Sequence, residues 1–148
     1  MTPTSGAFDG RDHLYPVRVY YEDTDFSGYV YHGAYVKFFE RGRSEALRLA
    51  GVSHSELLAL DPPAAMVVRR MELDYLRPAV IDDALMVRSV MQSARGARMI
   101  IVQQIERGDD VLAKARLEVA LINIGGGPRK LPPEVLAQLI PLLQPDLP

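Results

Sequence analysis

The densest chemistry in this 148-residue chain lies in one stretch, Tyr20-Tyr21-Glu22-Asp23-Thr24-Asp25-Phe26-Ser27-Gly28-Tyr29-Val30-Tyr31-His32-Gly33-Ala34-Tyr35. It holds five of the seven tyrosines, one of the three histidines and three carboxylates, just before a segment with helical periodicity. A helix N-terminus presents backbone N–H groups with no partner one turn earlier, so it can hold an anion or polarise a carbonyl. A carboxylate beside it can act as general base or nucleophile. The same residues have a plainer use, because Asp ahead of a helix often caps it or shapes the turn.

Other chemistries fit this stretch less well. Asp23-Thr24-Asp25 resembles an aspartic-protease turn but lacks the glycine after the threonine and a second copy of the loop. A glycosidase needs two carboxylates about 5–9.5 Å apart across a sugar cleft, and nothing else in the chain suggests one. Asp23, Asp25 and His32 could ligate a divalent metal, but no second histidine cluster supports them. There is no G-x-S-x-G elbow and no G-x-x-x-x-G-K loop; Gly125-Gly126-Gly127 reads as a turn that ends a strand. The chain has no cysteine, which removes disulfides, thiolate nucleophiles, zinc knuckles and iron–sulfur clusters. Three histidines (His13, His32, His54) cannot build a His-rich metal site within one chain. The remaining chemistry belongs to carboxylates, hydroxyls, backbone groups and a lone imidazole, and no cofactor is expected.

Composition sets the frame around that loop. A chain of this length is one domain, burying roughly two-thirds of the surface its unfolded form exposes. The net charge of −2 argues against a nucleic-acid partner. Only Lys37, Lys114 and Lys130 are lysines among the 17 basic residues, so the other 14 are arginines. Arginine suits phosphate recognition and equally well an ordinary solvated surface. No apolar run approaches the roughly 20 residues of a membrane span. Met1 to Arg11 lacks the apolar core of a signal peptide, so a cytoplasmic location is expected.

The elements that must position the loop follow from periodicity. Residues 1–15, rich in Gly, Ser, Thr and Pro, read as a flexible tail, with a single domain over 16–148. Pro16 to Glu22 alternates as a strand. Tyr35, Val36, Phe39, Ala46, Leu47 and Ala50 form the apolar stripe of a helix from about His32 to Ala50. Gly42 interrupts that stripe at a cost of about 1 kcal/mol against Ala, which predicts a backbone or sheet passing close by. Gly51 suits a helix C-terminus, and Ser53-His54-Ser55-Glu56 has the spacing of a capping box opening a short helix. Strands follow over Val67–Tyr75, Ala84–Ser93, Arg98–Glu106 and Val111–Leu121, the last pair joined by a two-residue turn at Gly108-Asp109. Pro133 opens a last amphipathic helix. One long amphipathic helix must cover the apolar face of the sheet, giving an α+β architecture in which antiparallel strands curl around a central helix. Edge strands left unpaired point to association into a dimer.

These residues also carry a family resemblance. Val17-Arg18-Val19-Tyr20-Tyr21-Glu22-Asp23-Thr24-Asp25, Gly28, Val30-Tyr31-His32 and Tyr35 resemble the signature of hotdog-fold acyl-CoA thioesterases. The similarity is closest to the YbgC-type branch of the 4-hydroxybenzoyl-CoA thioesterase family. It continues through Phe39-Glu40-Arg41, Arg43, Val67-Val68-Arg69-Arg70, Tyr75, Arg77-Pro78-Ala79 and Asp82-Asp83. The resemblance implies a hotdog fold, working as homodimers that can pair into tetramers. It implies an acyl-CoA or acyl carrier protein thioester as substrate, hydrolysed to free acid and thiol.

By position, the family's catalytic carboxylate falls on Asp25, as nucleophile on the thioester carbonyl or as base on water. His32 falls beside the site, where it orients Asp25, contacts substrate, or simply starts the helix. Tyr31 is a candidate substrate-lining residue, and Arg69, Arg70 and Arg77 are candidates for the coenzyme A phosphates at a dimer-formed groove. Alternation puts Arg69 on the face of Val67, Met71 and Leu73, where burial demands a partner unless the register breaks. Phe26-Ser27 departs from the small pair more usual in the branch, so that Phe26 either lines the acyl pocket or packs under the loop. The competing expectation is a non-hydrolytic hotdog domain that binds acyl chains or a partner protein.

Overall fold

The computed structural model describes residues 1–147. Six antiparallel strands form one sheet: β1 (Ala7–Asp9), β2 (Asp12–Arg18), β3 (Ala64–Tyr75), β4 (Ala84–Arg95), β5 (Arg98–Arg107) and β6 (Asp110–Asn123). Their spatial order is β1-β2-β4-β5-β6-β3. The 18-residue helix α1 (His32–Leu49) packs on β2, β4 and β5, while the short α2 (His54–Leu58) packs on β3 and α3 (Pro133–Leu139) on β4. This is the expected α+β hotdog arrangement, a long helix held in the curve of an antiparallel sheet.

Helix α1 buries Ala34, Tyr35, Phe38, Phe39, Gly42, Ala46 and Leu47, the i, i+3, i+4 stripe of a helix with one face in the core. The core it joins includes Met91, Met99, Ile101, Ile105, Leu117 and Leu121 of the sheet, all essentially inaccessible. Each such side chain contributes about 1.5–3 kcal/mol when fully withdrawn from water. The stripe differs from the expected one at both ends and in its first turns: Ala34 is buried as well, and Ala50, half-buried, is the C-cap past the last helical residue. Val36 is 39% exposed, and Phe38, at 1%, takes the central place. Position 38 lies one turn from both Tyr35 and Gly42, whereas position 36 is rotated about 100° off the stripe.

Gly42 does meet the sheet: a Cβ there would lie 2.5 Å from Val87 Cγ1. Beside it, the buried Gln103 of β5 donates from Nε2 to the Phe39 carbonyl at 2.9 Å and to Ser89 Oγ at 2.8 Å. The helix ends as Gly51 predicted, with positive φ, Gly51 N–H on Arg48 O and Val52 N–H on Leu47 O, the paired bonds of a Schellman motif. Ser53 Oγ accepts the Glu56 N–H at 3.2 Å and caps α2.

Three expectations need correction. Residues 7–15 are not a loose tail. Ala7–Asp9 pairs with Asp12–Leu14 around Gly10, and β2 continues against β4. His13 anchors this hairpin, fully buried, with Nε2 on the Ser5 carbonyl at 2.7 Å and the Phe8 ring edge-on at 5.2 Å. Burial holds its imidazole below the usual pKa, so the ring sits in the core as the neutral form.

The first predicted strand also ends early, at Arg18, because Tyr21–Asp23 turns into a 3-10 helix. In β3 the pairing slips between Val68 and Arg70, making Arg69 the extra residue of a bulge. Val68 pairs with Val119 before the slip and Met71 with Leu117 after it, so Arg69 does not share the core face of Met71 and Leu73. Its side chain is 46% exposed, 3.5 Å from Glu118. The burial that demanded a special partner is absent.

Candidate active site

The loop between β2 and α1 is built largely by its own polar groups. The Asp23 carboxylate accepts the Tyr20 N–H at 2.8 Å, and Thr24 Oγ1 donates to the Tyr21 carbonyl at 2.7 Å. Asp23 therefore has the structural role that Asp often takes before a helix. Residues Asp25–Gly28 close a tight turn, Gly28 N–H to Asp25 O at 3.0 Å, with Gly28 at φ 85°. The loop is then clamped to the segment after β3, since Val30 N–H reaches the Ala79 carbonyl at 2.9 Å and Tyr29 bridges Val80.

This clamp opens a cleft of about 370 Å³, lined among others by Asp25, His32, Tyr35, Tyr75 and Arg77. Asp25 Oδ1 accepts both the Ser27 hydroxyl, at 2.5 Å, and the Ser27 N–H, at 2.8 Å. These two bonds hold its carboxyl below the ordinary carboxylate range, with a smaller pull from His32. Asp25 is thus ionised at neutral pH and fully exposed to an incoming group.

The cleft floor is aromatic. Tyr35 and Tyr75 meet edge to face at 5.3 Å. Tyr75 donates its O–H to the His32 carbonyl at 2.7 Å, and Tyr35 accepts the Ala79 N–H at 3.0 Å. Desolvation pushes both phenols above their usual pKa, so they stay protonated. They tie the first turn of α1 to the end of β3. No side chain caps that turn at Tyr31; the Ala34 N–H is taken by the Tyr31 carbonyl at 2.9 Å, and the His32 and Gly33 N–H groups ahead of it have no carbonyl one turn earlier to receive them. A carboxylate and a polarising helix terminus therefore share one cleft.

The other sequence-predicted residues divide. His32 lines the cleft with Asp25. Arg77 reaches its rim, 3.0 Å from Asp110. Tyr31 is half-exposed and packs on the helix itself, its ring 4.4 Å from that of His32 and so close over Gly33 that a Cβ there would meet it at 2.5 Å. Arg69 and Arg70 are not brought to the Asp25 cleft; Arg70 sits 2.7 Å from Glu72 on the edge strand. Phe26 is fully exposed at the loop tip, neither in the cleft nor under the loop.

Sequence reading missed Ser27, Tyr35, Tyr75 and Pro78 as cleft residues. Tyr35 and Tyr75 stood in the family resemblance with no site role attached, and the contact that brings them together spans 40 positions. Ser27 alone had a local signal, a hydroxyl two residues after an Asp, which is the spacing of an Asx turn.

Comparison with known proteins gives a consistent picture. Residues 27–114 match the family model of the Thioesterase superfamily. The chain is 41% identical over 124 residues to the acyl-CoA thioesterase YbgC of Haemophilus influenzae, covering 83% of this chain and 90% of that protein. It is 40% identical over 126 residues to the acyl-CoA thioester hydrolase YbgC of Escherichia coli O6:H1, covering 84% and 92%. Among solved structures, a probable thioesterase from Bartonella henselae superposes with a TM-score of 0.79 at 45% identity, covering 82% of this chain and 99% of the other.

Proposed function

Because the chain belongs to the thioesterase superfamily and is a thioester hydrolase of the acyl-CoA class, we propose that Asp25 carries its chemistry. The observation behind this reading is the ionised Asp25 carboxylate, with only one oxygen engaged by Ser27, in the same cleft as the first turn of α1. A thioester carbonyl placed between them has its oxygen toward the helix N–H groups and its carbon toward Asp25 Oδ2.

Two routes start from that pose. As base, Asp25 takes a proton from water while the water oxygen bonds the carbonyl carbon. Collapse breaks the C–S bond, and the departing thiolate takes the proton. As nucleophile, Oδ2 itself bonds the carbon and expels the thiolate, and water then cleaves the anhydride. Both return Asp25 as carboxylate and release acid and thiol. Single turnover in heavy-oxygen water separates them, since label in the Asp25 carboxyl marks the covalent route. Developing charge on the carbonyl oxygen is met by the helix terminus, which carries about half a positive charge. Coenzyme A is a good leaving group, so the reaction needs no Ser-His-Asp apparatus.

His32 borders the reacting carbonyl in this reading and Arg77 meets a coenzyme A phosphate at the rim. Arg69 and Arg70 can reach substrate only through a second copy. The long open edge of β3, with Val67 and Val68 37% and 45% exposed, supports pairing of two chains there, with tetramers formed from such dimers. Sedimentation is expected to give at least the two-chain mass; a monomer at micromolar concentration would rule this out. A cytoplasmic location belongs to the same reading, because acyl-CoA is made and used inside the cell. Among the described residues, no helix is long and apolar enough to cross a membrane.

Thiol release from a panel of short, long and aromatic acyl-CoAs, and from acyl carrier protein thioesters, tests the reading directly. The protein has no thiol of its own to add background. Asp25→Asn is expected to lower the rate about a hundredfold or more. Full activity in that variant removes Asp25 from the mechanism. No release from any thioester would instead favour a non-hydrolytic acyl-binding module.

A further inference from the structure

Asp25 does not stand alone in its turn. Ser27 Oγ accepts the Tyr29 N–H at 3.2 Å. With that lone pair engaged from the loop side, the hydroxyl proton points at Asp25 Oδ1, 2.5 Å away. The Ser27 N–H ends on the same oxygen at 2.8 Å. Two donors thus converge on one carboxylate oxygen, both from a residue two positions along a turn that Gly28 closes. Charge-assisted bonds of this length are the strong kind.

We infer that Ser27 is a positioning residue for the hydrolysis: it locks the Asp25 carboxylate through Oδ1 so that Oδ2 alone faces the substrate carbonyl. The inference rests on the assignment of Asp25 as the reacting carboxylate. Ser27 need not touch the substrate to do this. Its hydroxyl fixes which oxygen reacts and in which plane the lone pair lies, and a reacting group displaced by about 1 Å can lose two orders of magnitude in rate. The same bonds stabilise the ionised form, which extends activity toward acid.

The other groups facing Asp25 across the cleft are His32 and Tyr35 of α1, Tyr75 of β3, Arg77 beyond it, and Tyr29 of the loop itself. Tyr35 and Tyr75 stay neutral, and Arg77 already faces Asp110. Ser27 supplies the largest stabilisation of the Asp25 anion, ahead of His32.

The test compares Ser27→Ala, which deletes the hydroxyl and keeps the N–H bond, with Ser27→Thr, which keeps both. Ser27 is exposed, so neither variant disturbs the core. In Ser27→Ala, kcat/KM for one good acyl-CoA is expected to fall about tenfold at neutral pH. The acid limb of its pH profile moves to higher pH, because the anion has lost a donor. Ser27→Thr restores both features. Carbon NMR of the Asp25 carboxyl, assigned with Asp25→Asn, gives the same upward shift without substrate. A uniform loss at every pH with an unmoved limb would reduce Ser27 to a structural role and overturn the inference, as would a wild-type profile in Ser27→Ala. If Asp25→Asn is inactive and Ser27→Ala behaves as wild type, only this inference falls. If Asp25→Asn is active, the Asp25 assignment falls with it.

Discussion

The two ends of helix α1 are finished differently. At the C-terminus, Gly51 and Val52 turn back onto Arg48 and Leu47, and Gln138 Oε1 closes over Gly51 so tightly that a Cβ there would sit 1.9 Å away. At the N-terminus, no side chain caps the first turn at Tyr31, and the turn faces a cleft containing a carboxylate. Capping there would have added about 0.5–2 kcal/mol. The closed end serves the fold. The open end forgoes that stabilisation and leaves the first turn uncapped beside the Asp25 cleft, the arrangement the proposed hydrolysis uses.

That contrast can be broken at either end. The largest effect belongs to Asp25→Asn, a loss of about a hundredfold or more in kcat with the melting temperature unchanged, since the exposed carboxylate holds no core contact. Coupled loss of rate and stability would mean that the open end is structural after all. Gly51→Ala should show the reverse. Its positive φ penalises a Cβ and Gln138 must move, so denaturant unfolding should register a loss of about 1–2 kcal/mol while kcat/KM stays within twofold. Tyr75→Phe probes the join between the ends and the sheet. It removes the O–H donated to the His32 carbonyl, and a severalfold drop in kcat/KM with about 0.5–1.5 kcal/mol lost in stability is expected. An unchanged rate in that variant would show that the first turn holds its place without the tyrosine.

How much of this was legible depends on the range over which each signal acts. Helix α1 and strands β4 to β6 were readable because their apolar residues repeat at 3.6 or 2 over ten residues or more. Gly42 was readable as a close approach because glycine in a buried stripe has few other uses. The β1–β2 hairpin was hidden, since Thr4, Ser5, Gly6 and Gly10 have the composition of a tail while His13 and Phe8 supply the packing. The bulge at Arg69 leaves no mark in composition; it emerges only when β3 is aligned with β6.

Within the site, Asp25 and His32 were visible because seven positions hold them in one segment. Tyr75 and Arg77 join them through the pairing of Tyr29 and Val30 with Ala79 and Val80 and through the Tyr75 O–H on the His32 carbonyl, tertiary events that local pattern does not encode.

An apolar trough resists rotation of a helix by shape, yet it offers little against sliding along the axis, because oily contacts exchange for one another at small cost. Gln103 acts as a detent in that trough. Its single amide nitrogen grips the Phe39 carbonyl and Ser89 Oγ together. An axial shift would carry the Phe39 carbonyl away while Ser89, on β4, stays, leaving one of the two buried amide hydrogens without an acceptor, a penalty of about 1–3 kcal/mol. The distance along α1 from Phe39 to His32 is then a fixed rod of seven residues, about 10 Å long. A polar contact in the middle of the core thereby sets how far the helix projects toward Asp25.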